Sequence, residues 1–221
     1  MSRPRHDSEL LPAKERVENA FWALLENREY RKITVTDIVR EAQVNRNSFY
    51  YHFGSLAELA DAAILREVEN TSIAQLVDET IDDDGTPVMN DDAVREHWSK
   101  RISAALNSPE HRTRLNHLAL LAGPHSSPEL MESLRDFTRM TLISALKLTP
   151  EELTLRSDLT IDFAVGGILA ILRRWPELRK MNVAQTLYDD DIAAMAIGLY
   201  LSMSGEEVRE SWKRIFRPAN R

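Results

Sequence analysis

A chain of 221 residues, 43% hydrophobic and 29% charged, belongs with globular proteins rather than disordered ones and is long enough for one or two domains. It contains no cysteine, which excludes disulfides, thiolate nucleophiles and cysteine-based zinc sites, and fits a reducing, cytoplasmic setting. The net charge of −7 is unevenly spread. Residues 28–53 hold five basic against three acidic side chains, while the acidic excess lies beyond residue 60, so contact with phosphate is allowed locally.

Residues 1–11 are polar, lack the apolar stretch of a secretory signal and are expected to form a flexible arm carrying Arg3 and Arg5. Val17, Ala20, Phe21, Leu24 and Leu25 recur at i, i+3, i+4, i+7 and i+8, which predicts a helix from about Pro12 to Arg28. Thr34-Val35-Thr36-Asp37 is a capping box with Asp in the place of Glu, opening a short helix that carries Ile38, Val39 and Ala42. Gln43-Val44-Asn45 is a tight connection, and Asn45 is placed to cap a helix from Arg46 to His52. Gly54 suits a left-handed stop, and Ser55 to Glu58 is a second capping box, opening a helix that runs into the seventies.

The stretch TIDDDGTPVMNDD at 80–92 is an acidic loop without the alternating spacing of a calcium site. Helix starts then recur at Ser108-Pro109-Glu110, Ser127-Pro128-Glu129 and Thr149-Pro150-Glu151, each with a capping hydroxyl, a first-turn proline and an acid at the positive end of the dipole. Gly123-Pro124 and Trp175-Pro176 are expected to break helices. The most apolar run, Phe163–Leu172, has ten residues against the roughly twenty that a membrane span requires, and reads as a buried helix. Asn182 starts a further helix through Ile192, Met195, Leu199 and Met203, and Val208, Trp212, Ile215 and Phe216 mark a last amphipathic segment. The fold class is all-α, with nine or ten helices and no sheet.

Three short helices ahead of a long one, with the second and third tightly joined, is the layout of a helix-turn-helix. On a helical wheel Phe49 and Phe53 share one face, where Ile38, Val39, Val44, Phe21 and Leu25 complete a small core. Ser48, Tyr51 and His52 then project elsewhere, with Tyr50 to one side, all of them groups that hydrogen-bond or stack. In this motif the second helix enters the DNA major groove, and its leading Arg and Asn can address bases or phosphates.

The segment TVTDIVREAQVNRNSFYYHFGSLAEL resembles the helix-turn-helix of the TetR/AcrR family of bacterial transcriptional regulators. Thr34, Asp37, Ile38, Ala42, Val44, Ser48, Phe49, Tyr50, His52, Phe53, Ser55 and Leu59 fall in register with the family pattern. Gln43 stands where the family has its turn glycine, and Leu56 where it often has a lysine. The resemblance implies DNA contacts from Thr34, Thr36, Asn45, Arg46, Asn47, Ser48, Tyr50, Tyr51 and His52, with Arg46 and Asn47 at the variable base-reading positions. It implies a division into an arm (1–11), a DNA-binding domain (12–54) and a helical domain for ligand binding and dimerisation (55–221).

Within 158–175, Ile161, Val165, Ile168 and Leu172 form one stripe, beside the small residues Ala164, Gly166 and Gly167. The stripe fits either burial within its own subunit or a dimer interface; the resemblance favours the interface, with Met195 and Leu199 across from it. By resemblance the helices between also enclose an effector pocket, for which Trp98, His117, Phe137 and Met140 are the candidates. No nucleophile elbow, P-loop or dinucleotide fingerprint is present, and His111 and His117 are six apart on different helical faces. An enzyme, a cofactor and a metal site are therefore not expected. The expected function is a homodimeric regulator, a repressor released from a palindromic DNA operator by a small molecule. The alternative is a helix-turn-helix co-regulator that works through a protein partner without such a switch.

Overall fold

The computed structural model of the chain describes residues 11–70, 100, 104, 108–145, 148–149 and 153–180. Seven helices and one 3-10 turn make up the regular structure among them: α1 (Ala13–Asn27), the turn Tyr30–Lys32, α2 (Val35–Glu41), α3 (Arg46–His52), α4 (Leu56–Glu69), α5 (Pro109–Leu121), α6 (Pro128–Ala145) and α7 (Leu155–Leu178). The chain is all-α, as its periodicity requires. The arm, the acidic loop at 80–92, Trp98 and everything from Met181 on, including Met195 and Leu199, lie outside the described residues.

The helix starts form as the capping residues dictate. Pro109 and Pro128 occupy the first positions of α5 and α6, where a missing N–H costs nothing. Helix α7 starts later than the proline signal at Thr149-Pro150-Glu151, at Leu155, because Thr154 caps it by accepting from the Ser157 N–H at 3.3 Å. Two expectations about breaks are corrected. Gly123-Pro124 does follow the end of α5, but Pro176 sits inside α7, which continues to Leu178. Proline there forfeits one hydrogen bond in the last turn, and that turn is held from outside: buried Trp175 donates its indole N–H to Asn116 Oδ1 on α5 at 2.8 Å. Gly54 is not the left-handed residue. Helix α3 ends instead on Phe53 in an extended conformation, and Gly54 donates its N–H to Glu58 Oε2 at 2.8 Å, where a Cβ would approach the same oxygen to 2.9 Å.

A single apolar core runs through the described residues. Val17, Ala20, Phe21, Trp22 and Leu25 of α1 meet Ile38 of α2 and Phe49 and Phe53 at α3, as the wheel predicts. The same cluster continues through Leu59, Ala60, Ala63, Ile64 and Val68 of α4 to Leu118 and Leu121 of α5, Leu130 and Leu134 of α6 and Leu172 of α7. Leu56 is half-buried against it, so the position that often carries lysine in the resembling family is spent here on packing. A second, smaller cluster joins Leu142 of α6 to Ile161 and Val165 of α7.

Polar ties fix α1 and α4 inside this core. Glu18 is buried on α1, its side chain 5% exposed, and accepts from Arg66 of α4 at 2.5 Å; Arg66 also lies 3.5 Å from Glu15. Arg114 of α5 donates to the Asn70 carbonyl at the end of α4 at 2.8 Å, and His117 Nδ1 meets Glu67 at 2.7 Å. The turn after α5 closes on α1: His125 Nδ1 donates to the Leu25 and Glu26 carbonyls at 3.2 and 3.0 Å, and its own carbonyl accepts from the Tyr30 N–H at 2.8 Å.

The stripe expected at a dimer interface is turned inward. Ile161, Val165 and Leu172 are buried within their own subunit and Ile168 is half-buried, because the faces of α5 and α6 offer them an apolar neighbour. The outward face of α7 carries Leu155, Leu159, Phe163 and Ile171, with Phe163 61% exposed, and a Cβ added to Gly166 or Gly167 would meet nothing within 4 Å.

The Glu18–Arg66 pair is testable. Arg66→Met leaves a buried carboxylate with only Lys14, at 4.0 Å, to offset it. Chemical denaturation should show a loss of about 1–3 kcal/mol, below the usual cost of breaking a buried pair because Arg66 is half exposed. Glu18→Gln in the same chain should restore part of it.

Candidate nucleic-acid interface

The segment from α2 to α3 is assembled from short-range hydrogen bonds. Thr34 accepts from the Asp37 N–H at 3.2 Å, and Asp37 Oδ2 accepts in return from the Thr34 N–H at 3.1 Å and its hydroxyl at 2.6 Å, which completes the capping box. The other carboxylate oxygen of Asp37 takes Arg28 at 3.1 Å and Arg40 at 2.8 Å. The hydrogen bonds from Thr34, followed by the Arg28 charge, hold the Asp37 carboxyl below the usual carboxylate range against the opposing effect of desolvation. Asp37 is thus the hub that ties the start of α2 to the end of α1.

The turn between α2 and α3 passes through a left-handed residue. Gln43 has φ 52°, the one positive φ outside glycine among the described residues. The conformation lets the Gln43 and Val44 N–H groups return to the Arg40 and Val39 carbonyls at 3.2 and 3.0 Å. A side chain in this region costs about 1 kcal/mol that glycine would avoid. The turn thus keeps the geometry that the missing glycine would have made easy.

Asn45 caps α3 by accepting from the Ser48 N–H at 2.7 Å. Phe49 is fully buried and packs on Phe53 with ring centroids 5.9 Å apart, which anchors one side of the helix. The other side faces solvent. Tyr51 is 85% exposed and Tyr50 48%, and Arg46 and Asn47, one turn earlier, are exposed beside them. The Arg46 guanidinium donates to the Tyr50 hydroxyl at 3.3 Å and lies 5.6 Å from the centre of its ring. His52 is half-buried, edge-on to Tyr51 with centroids 4.9 Å apart.

The structure sorts the residues expected to touch DNA. Thr34 and Asn45 use their side-chain oxygens as caps, and Ser48 is half-buried. Thr36, Arg46, Asn47, Tyr50 and Tyr51 present free surface, with His52 at its margin. The basic excess is largely neutralised: Arg28 and Arg40 share Asp37, Lys32 pairs with Glu29 at 2.8 Å, and Arg31 lies 3.9 Å from Glu129.

The residues expected to share an effector pocket do not meet. His117 stacks on Trp22 of α1, centroids 4.8 Å apart and planes within 2° of parallel. Phe137 is packed against the main core, and Met140 is 59% exposed. A cleft of about 600 Å³ does open beside His117, between α1, α5 and α7, lined also by Trp22, Asn116, His125, Trp175 and Arg179. No sequence spacing marks these residues as neighbours, since they come from four separate segments. No cluster of three or more His, Asp or Glu suited to a metal exists among the described residues.

Residues 19–63 match the model of a family described as bacterial regulatory proteins, tetR family. A search of curated proteins gives no match. Among solved structures, the chain is similar to the crystal structure of the TetR family repressor AlkX from Dietzia sp. strain DQ12-45-1b, implicated in biodegradation of n-alkanes. The identity is 18%, over 96% of this chain and 98% of that one, with a TM-score of 0.37, a likeness of outline alone.

Two substitutions test the local construction. Gln43→Gly should raise stability by up to about 1 kcal/mol in urea unfolding, the relieved left-handed strain outweighing the added flexibility of the unfolded chain. Because the folded-state carboxyl of Asp37 is held low, its contribution is present above the ordinary aspartate range near pH 4 and is lost as pH falls through the lower folded value. Asp37→Asn should therefore be less stable at neutral pH and lose less stability on acidification, read as the pH dependence of the melting temperature.

Proposed function

We propose that this chain, which belongs to the TetR family of bacterial regulatory proteins, works as a homodimeric transcriptional repressor that leaves a palindromic operator when a small molecule binds. Its residues 19–63 carry the family's DNA-binding helix-turn-helix, and the chain is a regulator of transcription. The observation that carries the finer reading is the split character of α3. Phe49 is buried and holds the helix in place, while Arg46, Asn47, Tyr50 and Tyr51 stand free on the opposite side with no contact to the core that accounts for them. A helix so divided is rigid enough to enter a groove and polar enough to read it.

Residues 12–54 form the reader in this reading, and 55–221 the dimerising and effector-binding part, with 1–11 as an arm. Homodimerisation draws support from the outward face of α7. Leu159 and Phe163 stand exposed next to Gly166 and Gly167, whose open backbone lets a second helix approach closely. Effector control draws support from the cleft beside His117, which touches α1 and the later helices together. A ligand there changes the operator affinity only by binding the free and DNA-bound arrangements unequally.

Two measurements check the proposal. Light scattering should give a particle of twice 25.3 kDa, and Phe163→Glu should reduce it to a monomer. Footprinting upstream of the protein's own coding region should show a protected palindrome with half-sites about one helical turn apart. A monomeric wild type, or no protected sequence, overturns the corresponding part.

A further inference from the structure

We propose that Arg46 reads a guanine in each operator half-site and that Tyr50 is the positioning residue that holds it ready. The assignment rests on the DNA-binding reading above and goes beyond it by naming the base and the residue that selects it.

Charge accounting comes first. The described residues 11–70 contain eight Lys or Arg side chains. Lys14, Arg28, Arg31, Lys32, Arg40 and Arg66 each lie within 4.0 Å of a carboxylate. Arg16 is half-buried and points Nη1 at the Gln43 carbonyl at 3.5 Å. Arg46 is the remaining one, an exposed cation whose contacts are the hydroxyl and ring of Tyr50. A positive charge without a carboxylate, on the side of α3 that the core does not use, is available to an external acceptor.

Geometry narrows the acceptor. Arg46 and Tyr50 are i and i+4, so their side chains lie along the same edge of the helix. The phenol hydroxyl takes one guanidinium N–H, and the ring lies within the range of a cation–π contact. One end of the fork is thereby tethered and several donors stay free. Tethering reduces the rotamer freedom lost on binding and fixes the direction in which the free donors point. A phosphate can be met from many directions, whereas the O6 and N7 acceptors of guanine require a fork in one plane at one depth of the groove. Tyr50 itself has its hydroxyl committed to Arg46, which leaves Tyr51, far more exposed, as the tyrosine free to approach the DNA backbone.

The test is selection of binding sites from a randomised duplex library with the full-length protein, followed by affinities at two salt concentrations. Wild type should enrich a palindrome with an invariant G·C pair in each half. Arg46→Ala should bind that palindrome roughly ten- to a hundredfold more weakly, lose preference at that pair alone, and keep its salt slope. Tyr50→Phe keeps the ring and removes the hydroxyl; it should retain its helical circular dichroism and lose several-fold of the guanine preference. An unchanged motif in Arg46→Ala overturns the assignment. So does a uniform loss across all sequences with a salt slope smaller by about one, the mark of a phosphate contact. A wild type that enriches no motif fails earlier, at the DNA-binding reading, and is distinguishable on that ground.

Discussion

Helix α4 is buried on more than one side, and the arrangement of the other helices follows from that. Its residues Leu59, Ala60, Ala63, Ile64 and Val68 are all closed off, with α1 against one side and α5 and α6 against the others. Two of those residues are alanines, which let neighbouring backbones come near. A helix in this position cannot be repacked from one side alone. Any movement of α5 or α6 has to be taken up by α4 and passed to α1, and α1 forms the floor on which Phe49 and the reading helix sit.

The electrostatics reinforce the same coupling. Glu18 and Arg66 join α1 to α4, Glu67 and His117 join α4 to α5, and His117 returns to α1 by stacking on Trp22. The three contacts close a triangle of helices. The turn at His125 adds a further tie by satisfying carbonyls at the end of α1 that the helix leaves without partners. Against this background the basic residues near the reading helix acquire a different meaning. Most of them are used to hold the fold together, and the surface that faces outward owes its chemistry to a few side chains on α3 rather than to a broad positive patch.

Local features were legible in the sequence because their causes are local. The capping of α2 by Thr34 and of α3 by Asn45, and the burial of Phe49 and Phe53 on one side of α3, depend on residues within four positions of each other. Gln43 was a harder case. Its position in a family pattern marked it as a turn, but whether it would adopt the left-handed conformation or distort the turn depended on what α2 and α3 gain by packing together. The structure keeps the geometry and bears the strain. Pro176 was misread for a similar reason: as a residue it signals a break, while buried Trp175 and its bond to Asn116 hold the last turn in place.

The sequence by itself determined that the chain is helical, where the reading helix starts, and which of its sides is apolar. These are properties of periodicity and capping, which act over one or two turns. Tertiary structure alone decided which way α7 faces. Ile161 and Val165 form as regular a stripe as Leu159 and Phe163, and hydrophobicity cannot rank the two faces; burial against α6 chooses the first and leaves the second open. Tertiary structure also decided which cations are free. Arg28, Arg40 and Arg46 are equivalent in a charge count, and only the placement of Asp37 neutralises the first two and leaves Arg46 exposed beside Tyr50. Pairing of this kind depends on distances across the fold, which composition and spacing do not contain.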